Sequence, residues 1–297
     1  MFPRTDARNF ARTASNEGFN QLQNVSQQDS NVTVITEFLL VGGLQTLQGF
    51  CTELSVPHFS LRFTTFIVGV VCLPLVSLTS CVFISCFFHF EDATKTHCKV
   101  PNYLPSISAS ISLTPERYIW RFCIGLHCAP RFMVAVAYFS FYRGRFAKHC
   151  LETLLSYLSL VCAFSENIGL LLLTYVSSNE TYSIHKKGFI VFISCSLFHM
   201  MITCWLWKAI KMYSLSHEEL KSYRWKKRLF ISSIILYAAA AGCFWWHNKY
   251  CEQGIYTLFA LCEYLVVFCN MAFHLTAFWD FGSKAVMIAS PPEDKYF

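Results

Sequence analysis

Six long apolar runs follow one another along the chain, and each is separated from the next by a shorter polar stretch. Each run approaches the ~20 residues that an α-helix needs to cross the hydrocarbon core of a bilayer. The pattern predicts an all-α fold, a polytopic membrane protein built as a six-transmembrane-helix bundle. The predicted spans are 63–90, 118–141, 151–176, 189–207, 229–247 and 255–279.

The residues before the first span have a different composition. Gln, Asn, Ser and Thr are frequent there, and no apolar run reaches spanning length. We therefore expect 1–57 to be a disordered cytosolic tail, 58–283 to be the six-helix transmembrane domain and 284–297 to be a short cytosolic tail. The pattern of a signal peptide, a basic segment followed by a short apolar run and a cleavage site, is not found.

Composition and charge support a membrane protein. The chain is 54% hydrophobic and only 14% charged, whereas about a quarter of the residues of a soluble domain are charged. The net charge of +6 does not indicate a nucleic-acid partner, because Lys and Arg cluster beside the apolar runs. They are more numerous on the side that carries 143–148 and 208–228. This distribution predicts that both termini are cytosolic and that the loops 91–117, 177–188 and 248–254 are lumenal.

The predicted lumenal loops carry candidates for two covalent modifications, glycosylation and disulfide formation. Asn179 opens an Asn-Glu-Thr sequon, which makes it a candidate for glycosylation. Cys98 and Cys251 both lie in lumenal loops, where an oxidising compartment allows a disulfide. Because the sequence does not give the distance between them, their pairing stays open.

The last span carries three polar side chains on one helical stripe. Glu263, Asn270 and His274 are separated by seven and four residues, so they share a face of a helix. Such groups are costly in hydrocarbon and are candidates for function by default. A purely structural clamp between helices is the alternative interpretation.

Other predicted spans also carry polar or charged side chains that could pair inside the bundle. Arg131 and Glu166 are predicted at one depth near the middle of the membrane, where they can pair. His127 lies one turn from Arg131 and shares its face. His199 stands alone between apolar residues and is interpreted as a packed, hydrogen-bonded core residue.

Two arginines precede this region at the head of the second span. Arg117 and Arg121 lie near the predicted lumenal surface, where guanidinium groups suit phosphate recognition. Simple anchoring at the interface is the alternative. Common catalytic and metal-binding motifs are not found in the sequence, and we expect no metal.

Several segments together resemble the Frag/DRAM/Sfk family of membrane proteins. They are 96–98, 100–106, 117–127, 129–132, 173–178, 221–223, 225–226, 228–230, 270–274, 276–277 and 279–282. The resemblance runs from about residue 61 to the C-terminus and leaves 1–57 outside.

The resemblance implies a role in the fatty-acid remodelling of glycosylphosphatidylinositol (GPI) anchors. In that process the sn-2 position of a lyso-GPI lipid is reacylated with a saturated chain, usually stearoyl. The implied location is the Golgi membrane, with the endoplasmic reticulum as a further site. The implied partners are GPI-anchored proteins, lyso-GPI, membrane lipids and a remodelling enzyme. No cofactor is expected, and the acyl donor would be acyl-CoA or a phospholipid.

An acyltransferase needs a base, which His127 or His274 would supply, with Glu263 or Glu166 orienting the imidazole. We prefer His127, because His274 is predicted to lie too close to the cytosol. The other groups would bind the substrate: Arg117 and Arg121 its phosphate, and Arg131 or Asn270 the developing oxyanion. The alternatives are a non-catalytic lipid-presenting subunit or chaperone of a separate acyltransferase, and a protein that moves lipid or acyl donor across the bilayer.

Overall fold

The structure is a computed structural model that describes residues 57–146, 149–178, 180–211 and 216–289. Of the predicted N-terminal tail, only residue 57 is within these ranges. Of the predicted C-terminal tail, 290–297 lie outside them. Asn179 also lies outside the described residues.

The described chain is dominated by long helices. In chain order the helices are α1 (Phe63–Phe88), α2 (Phe90–Thr94), α3 (Ile107–Ser110), α4 (Glu116–Arg145), α5 (Cys150–Tyr175), α6 (Tyr182–Lys211), α7 (His217–Tyr250), α8 (Ile255–Leu275) and α9 (Ala277–Asp280). Among the described residues, six helical segments are long and apolar enough to cross a membrane. The predicted all-α, multi-pass architecture is confirmed.

The fifth span differs most from its prediction. Helix α7 begins well before residue 229, because Ser216 caps it and forms a capping box with Glu219. The additional turns carry Lys226, which is 1% exposed. A lysine predicted for a cytosolic loop is therefore part of the helix bundle.

Two short strands form a separate compact unit. Strand β1 (Pro57–Arg62) pairs antiparallel with β2 (Ala285–Ala289). The sequence did not predict this pair. An isolated pair of five- or six-residue strands leaves little periodic signal beside the strong pattern of the helices.

The predicted lumenal loops form a cap on the bundle. Cys98 and Cys251 form a disulfide, with Cα atoms 5.3 Å apart, which ties the segment after α2 to the turn between α7 and α8. On α8, Glu263 Oε2 accepts a hydrogen bond from Ile107 N at 3.2 Å, and Tyr264 donates to Pro105 O. The cap is thereby fixed to the part of α8 that carries Glu263 and Tyr264.

Helices α5 and α6 approach closely because both carry glycine where their backbones meet. A Cβ added to Gly169 would lie 2.7 Å from Phe192 N, and one added to Gly188 would lie 3.0 Å from Leu173 N. The same two helices carry Glu166 and His199. This close approach therefore sets the distance between the carboxylate and the imidazole.

We expect Gly169→Ala to lower the stability of the protein by about 1–3 kcal/mol, because the new methyl group must push the two backbones apart. The control is Gly242→Ala on α7, where an added Cβ meets nothing within 4 Å. That exchange should be neutral or stabilising by up to ~1 kcal/mol, since Ala favours a helix. Thermal unfolding in detergent measures both. Equal melting temperatures for the two variants would contradict the close packing.

Candidate functional site

Four of the predicted site residues meet in the interior of the bundle. Arg131 of α4 donates through Nη2 to Glu166 Oε1 of α5 at 2.8 Å and to His274 Nε2 of α8 at 2.6 Å. Asn270, one turn before His274, donates to the same Glu166 oxygen at 2.9 Å. We call Arg131, Glu166, Asn270 and His274, with His199 and Ser196 described below, the core network.

The hydrogen bonds fix the protonation state of His274. A guanidinium group can only donate, so Nε2 of His274 accepts from Arg131 and its proton resides on Nδ1. The imidazole is therefore neutral. The two N–H groups of Arg131 Nη2 divide between the carboxylate and the imidazole, which are themselves 3.1 Å apart.

Two residues of α6 complete the core network. Asn270 donates its second N–H to Ser196 Oγ at 2.8 Å. His199 Nδ1 lies 3.3 Å from Glu166 Oε2, although out of line for a hydrogen bond. The rings of His199 and His274 stack at 5.6 Å. His199 is thus more than an isolated core histidine, and the sequence missed this because its partners lie on other helices.

The core network is buried but not sealed. The side chain of Glu166 is fully buried, while those of Arg131 and His274 are 8% and 15% exposed. The Arg131–Glu166 ion pair is compatible with the membrane interior, although Glu166 Oε2 has no hydrogen-bond partner among the described residues. The partial exposure of His274 leaves a side from which a ligand can approach.

Among the described residues, neither His127 nor Glu263 makes a hydrogen bond to the core network. His127 Nδ1 donates to Val70 O at 2.7 Å, which joins α4 to α1. Glu263 lies about 10 Å along α8 from Asn270 and binds the cap. No hydrogen bond among the described residues joins Glu263 to a histidine. His274, which was predicted to lie towards the cytosol, contacts Arg131 directly, and its depth in the membrane stays a prediction.

The two arginines that are predicted to be lumenal contact the protein itself. Arg121 binds both carboxylate oxygens of Glu180, at 2.8 and 3.0 Å, and donates to Tyr175 O. Arg117 donates to Ser112 O, and its Nη1 lies 3.9 Å from Glu180. These contacts tie the loop between α5 and α6 to α4. A phosphate-binding role for Arg117 and Arg121 stays a prediction and would require exchange of these partners.

We expect the Glu180 contacts to persist at mildly acidic pH. Hydrogen bonds from the Ser177 backbone N–H and from Arg121 lower the pKa of Glu180 to about 2 from its ordinary value of 4.5. Because the folded-state pKa is the lower one, the stabilisation is complete above about pH 4.5 and is lost as the pH falls towards 2. Amide exchange in 176–178 and 180–181 should match at pH 7 and 5 after correction for intrinsic rates, and should accelerate near pH 3. A large acceleration at pH 5 would contradict this assignment.

The core network also has the chemistry of a metal site. Glu166, His199 and His274 each offer one ligand atom, and these atoms all lie within 4.8 Å of one another. Two histidines and a carboxylate suit zinc or iron. The lone pair of His274 Nε2 already accepts from Arg131, however, and Arg131 balances the charge of Glu166. A divalent ion would add two uncompensated charges in the membrane interior. We infer that Arg131 is the cation of this site.

Removal of metal should therefore leave the protein unchanged. We expect exhaustive dialysis against EDTA to alter neither the melting temperature nor the activity of the purified protein. Loss of either, with recovery on adding Zn²⁺, would show that Arg131 moves aside for a metal. Elemental analysis of the purified protein provides the independent check.

Sequence reasoning missed two further contacts that involve buried acidic side chains. At the predicted lumenal end, His89 Nδ1 lies 2.7 Å from Oε1 of Glu116, whose side chain is fully buried. At the opposite end, Lys226 pairs with Asp280, and both side chains are 1% exposed. The charge of each residue was visible in the sequence. Its burial was not, because both pairs join helices that are distant in the chain.

Comparison with known proteins agrees with this architecture. Residues 62–284 match the family model described as the Frag1/DRAM/Sfk1/Cwh43P N-terminal domain. No solved structure gives a significant match.

Three relatives show how far the similarity extends. A Xenopus tropicalis protein named "Acyltransferase PGAP2" is 51% identical over 238 residues, which cover 80% of this chain and 94% of that protein. A Danio rerio protein of the same name is 59% identical over 199 residues, or 67% and 86% of the two chains. A Caenorhabditis elegans protein named "Post-GPI attachment to proteins factor 2" is 39% identical over 236 residues, or 78% and 90%. The chain belongs to the Frag1/DRAM/Sfk1/Cwh43P family.

Proposed function

We propose that this protein remodels the lipid of GPI anchors as the acyltransferase that reacylates lyso-GPI. The names of its relatives support the role in GPI-anchor maturation, and two of those relatives are named acyltransferases. The finer proposal is transfer of a saturated chain, stearoyl above all, to the sn-2 hydroxyl in the Golgi membrane, with the endoplasmic reticulum as a further location.

One observation carries the catalytic part of this proposal. The single Nη2 atom of Arg131 is shared between the carboxylate of Glu166 and the neutral imidazole of His274. A neutral imidazole is a general base, and a guanidinium N–H is a donor for an oxyanion. The two groups that an acyl-transfer site needs, a general base and an oxyanion donor, are thus joined by a single hydrogen bond.

The reaction follows from an exchange of partners. An acyl carbonyl oxygen that enters the core network can replace His274 as the acceptor of the Arg131 N–H. The lone pair of His274 is then free to take the proton of the acceptor hydroxyl. Glu166 keeps Arg131 charged and in place, and Asn270 holds Glu166. The developing oxyanion is stabilised by Arg131, which donates to it more strongly than to a neutral carbonyl.

The second candidate is a non-catalytic subunit or lipid-presenting chaperone. In the resting state the Arg131 donors bind Glu166 and His274, as they would in a structural clamp between helices. This observation favours a supporting role for a separate acyltransferase. A protein that only moves lipid across the bilayer would give label transfer between leaflets without chemistry.

The decisive experiment uses the purified protein in nanodiscs. A lyso-GPI-anchored protein and donors with labelled stearoyl chains, both acyl-CoA and phospholipid, are supplied together. The proposal predicts labelled diacyl anchor from the protein alone. Transfer that appears only with a co-purified second protein would favour the subunit. Absence of transfer under both conditions would refute the enzyme and leave the supporting role to be tested in cells.

A further inference from the structure

A second buried polar cluster lies at the end of the bundle that is predicted to be cytosolic. Lys226 Nζ donates to Ser222 Oγ at 2.6 Å and to Asp280 Oδ2, and Tyr138 donates to the same Asp280 oxygen. The Lys226 ammonium also lies 4.7 Å from the ring centre of Trp207. We call these five residues the cytosolic-end network.

This network contains an unsatisfied acceptor. Asp280 Oδ1 is buried and has no hydrogen-bond partner, although its side chain is only 1% exposed. Buried carboxylate oxygens are nearly always paired, so an orphan one indicates a place for a donor from a ligand or water. Lys226 and Tyr138 already satisfy the other oxygen. The network can therefore receive N–H groups without losing its own contacts.

Two of the helices that carry the core network, α4 and α6, also carry residues of the cytosolic-end network. Tyr138 follows Arg131 by seven residues on α4, and Trp207 follows His199 by eight on α6. The seven-residue interval returns to nearly the same helical face after about 10 Å, whereas the eight-residue interval places Trp207 about 12 Å further along α6 and about 80° around it. Asp280 follows His274 by six residues across the junction of α8 and α9. Buried polar side chains thus occur at two levels along these helices, and we call the interval from the core network to the cytosolic-end network the path.

Exposed basic side chains surround the end of this path. They belong to the last turns of α4 and α6 and the first turns of α7: Arg143, Arg145, Lys208, Lys211, Lys221, Arg224, Lys227 and Arg228. The positive-inside rule accounts for their sign. It does not account for the buried polar side chains of the cytosolic-end network, and a concentration of positive charge attracts an anionic ligand.

We propose that this path binds a fatty-acyl thioester of coenzyme A and delivers it to the core network from the cytosolic face. This inference rests on the proposed acyltransferase function and selects its donor. The phosphates lie on the exposed basic residues, an amide N–H of the pantetheine arm donates to Asp280 Oδ1, and the thioester carbonyl reaches Arg131.

The transfer is balanced without any further reactant. The acceptor oxygen forms a bond to the acyl carbon while His274 takes the hydroxyl proton. The C–S bond of the thioester then breaks, and the proton passes from His274 to the departing thiolate. The products are the sn-2 ester and free coenzyme A. A donor from the cytosol and an acceptor from the lumenal leaflet thereby meet inside the membrane.

The test is sidedness in proteoliposomes of known orientation that contain lyso-GPI. Radiolabelled stearoyl-CoA is added either to the face that carries Lys208 and Lys211 or to the opposite face, and a phospholipid with the same labelled chain serves as the second donor. We expect transfer only from stearoyl-CoA on the basic face. Transfer from the phospholipid but not from stearoyl-CoA, or from stearoyl-CoA on the opposite face alone, would overturn this inference while the proposed function stands. Transfer from no donor on either face would remove the proposed function itself.

Substitutions of exposed lysines provide a second test, which leaves the buried Lys226–Asp280 pair intact. Lys208→Gln/Lys211→Gln should raise the KM for stearoyl-CoA about five- to tenfold and leave kcat nearly unchanged, because exposed charges act on ligand capture. The matched control is Lys186→Gln/Lys187→Gln, an exposed pair in the first turns of α6 at the opposite end. Equal KM values for the two double variants would contradict the proposed path.

Discussion

His274→Gln is expected to reduce acyl transfer by about 10²–10⁴-fold, the range over which a positioned general base acts. Gln retains an acceptor for Arg131 but cannot take a proton. The protein should therefore fold and reach its membrane normally. Initial rates of the purified variant in nanodiscs, with its melting temperature and cellular abundance, provide the measurement.

The matched control for this variant is His127→Gln. Both histidines lie within the bundle, but His127 donates to the backbone of α1 and makes no described hydrogen bond to the core network. We expect it to cost one hydrogen bond, about 1 kcal/mol of stability, and at most a few-fold in rate. If His127→Gln abolished transfer and His274→Gln did not, the base would be the residue that the sequence favoured.

Glu166→Leu is expected to have the largest effect on stability. The exchange leaves Arg131 buried without its counter-charge, and breaking a buried pair in this way costs about 3–5 kcal/mol. Thermal unfolding in detergent and abundance in cells should both show the loss. Glu152→Gln is the control, because this carboxylate lies in the first turn of α5 and its neutralisation should change stability little. Similar melting temperatures for the two variants would indicate that Glu166 is not essential to the core network.

The fold was predictable because hydrophobic periodicity and span length determine six helices directly. The limits of the helices were less predictable. The predicted fifth span started at residue 229, where continuous apolarity begins, whereas the Ser216–Glu219 capping box starts α7 earlier. Lys226 was consequently assigned to a loop, although the structure buries it against Asp280.

The candidate site was predictable only in part. Helical spacing correctly grouped Asn270 and His274, and matching depth brought together Arg131 and Glu166. Helical spacing also placed Glu263 in this group, because it lies on the same face of α8. Residues on one face of a helix can still lie far apart along its axis. Two turns along α8 separate Glu263 from Asn270, and it binds the cap instead.

The sequence of a single helix does not show which polar residues of other helices will contact it. His199 has apolar neighbours in the sequence, so its proximity to Glu166 is set by the close approach of α5 and α6 at Gly169 and Gly188. Similarly, Arg121 suits a phosphate by residue type, but the fold places Glu180 beside it. Tertiary packing decides which partner a polar group finds.

The central claim is that the core network performs chemistry rather than only joining helices. The most direct measurement is the rate of acyl transfer by the Arg131→Met/Glu166→Leu double variant. Apolar residues of similar volume often replace a buried ion pair without loss of stability. We predict a melting temperature close to that of the parent protein and a rate at least ~100-fold lower. A stable double variant that transfers acyl chains at the parental rate would show that the network is a clamp.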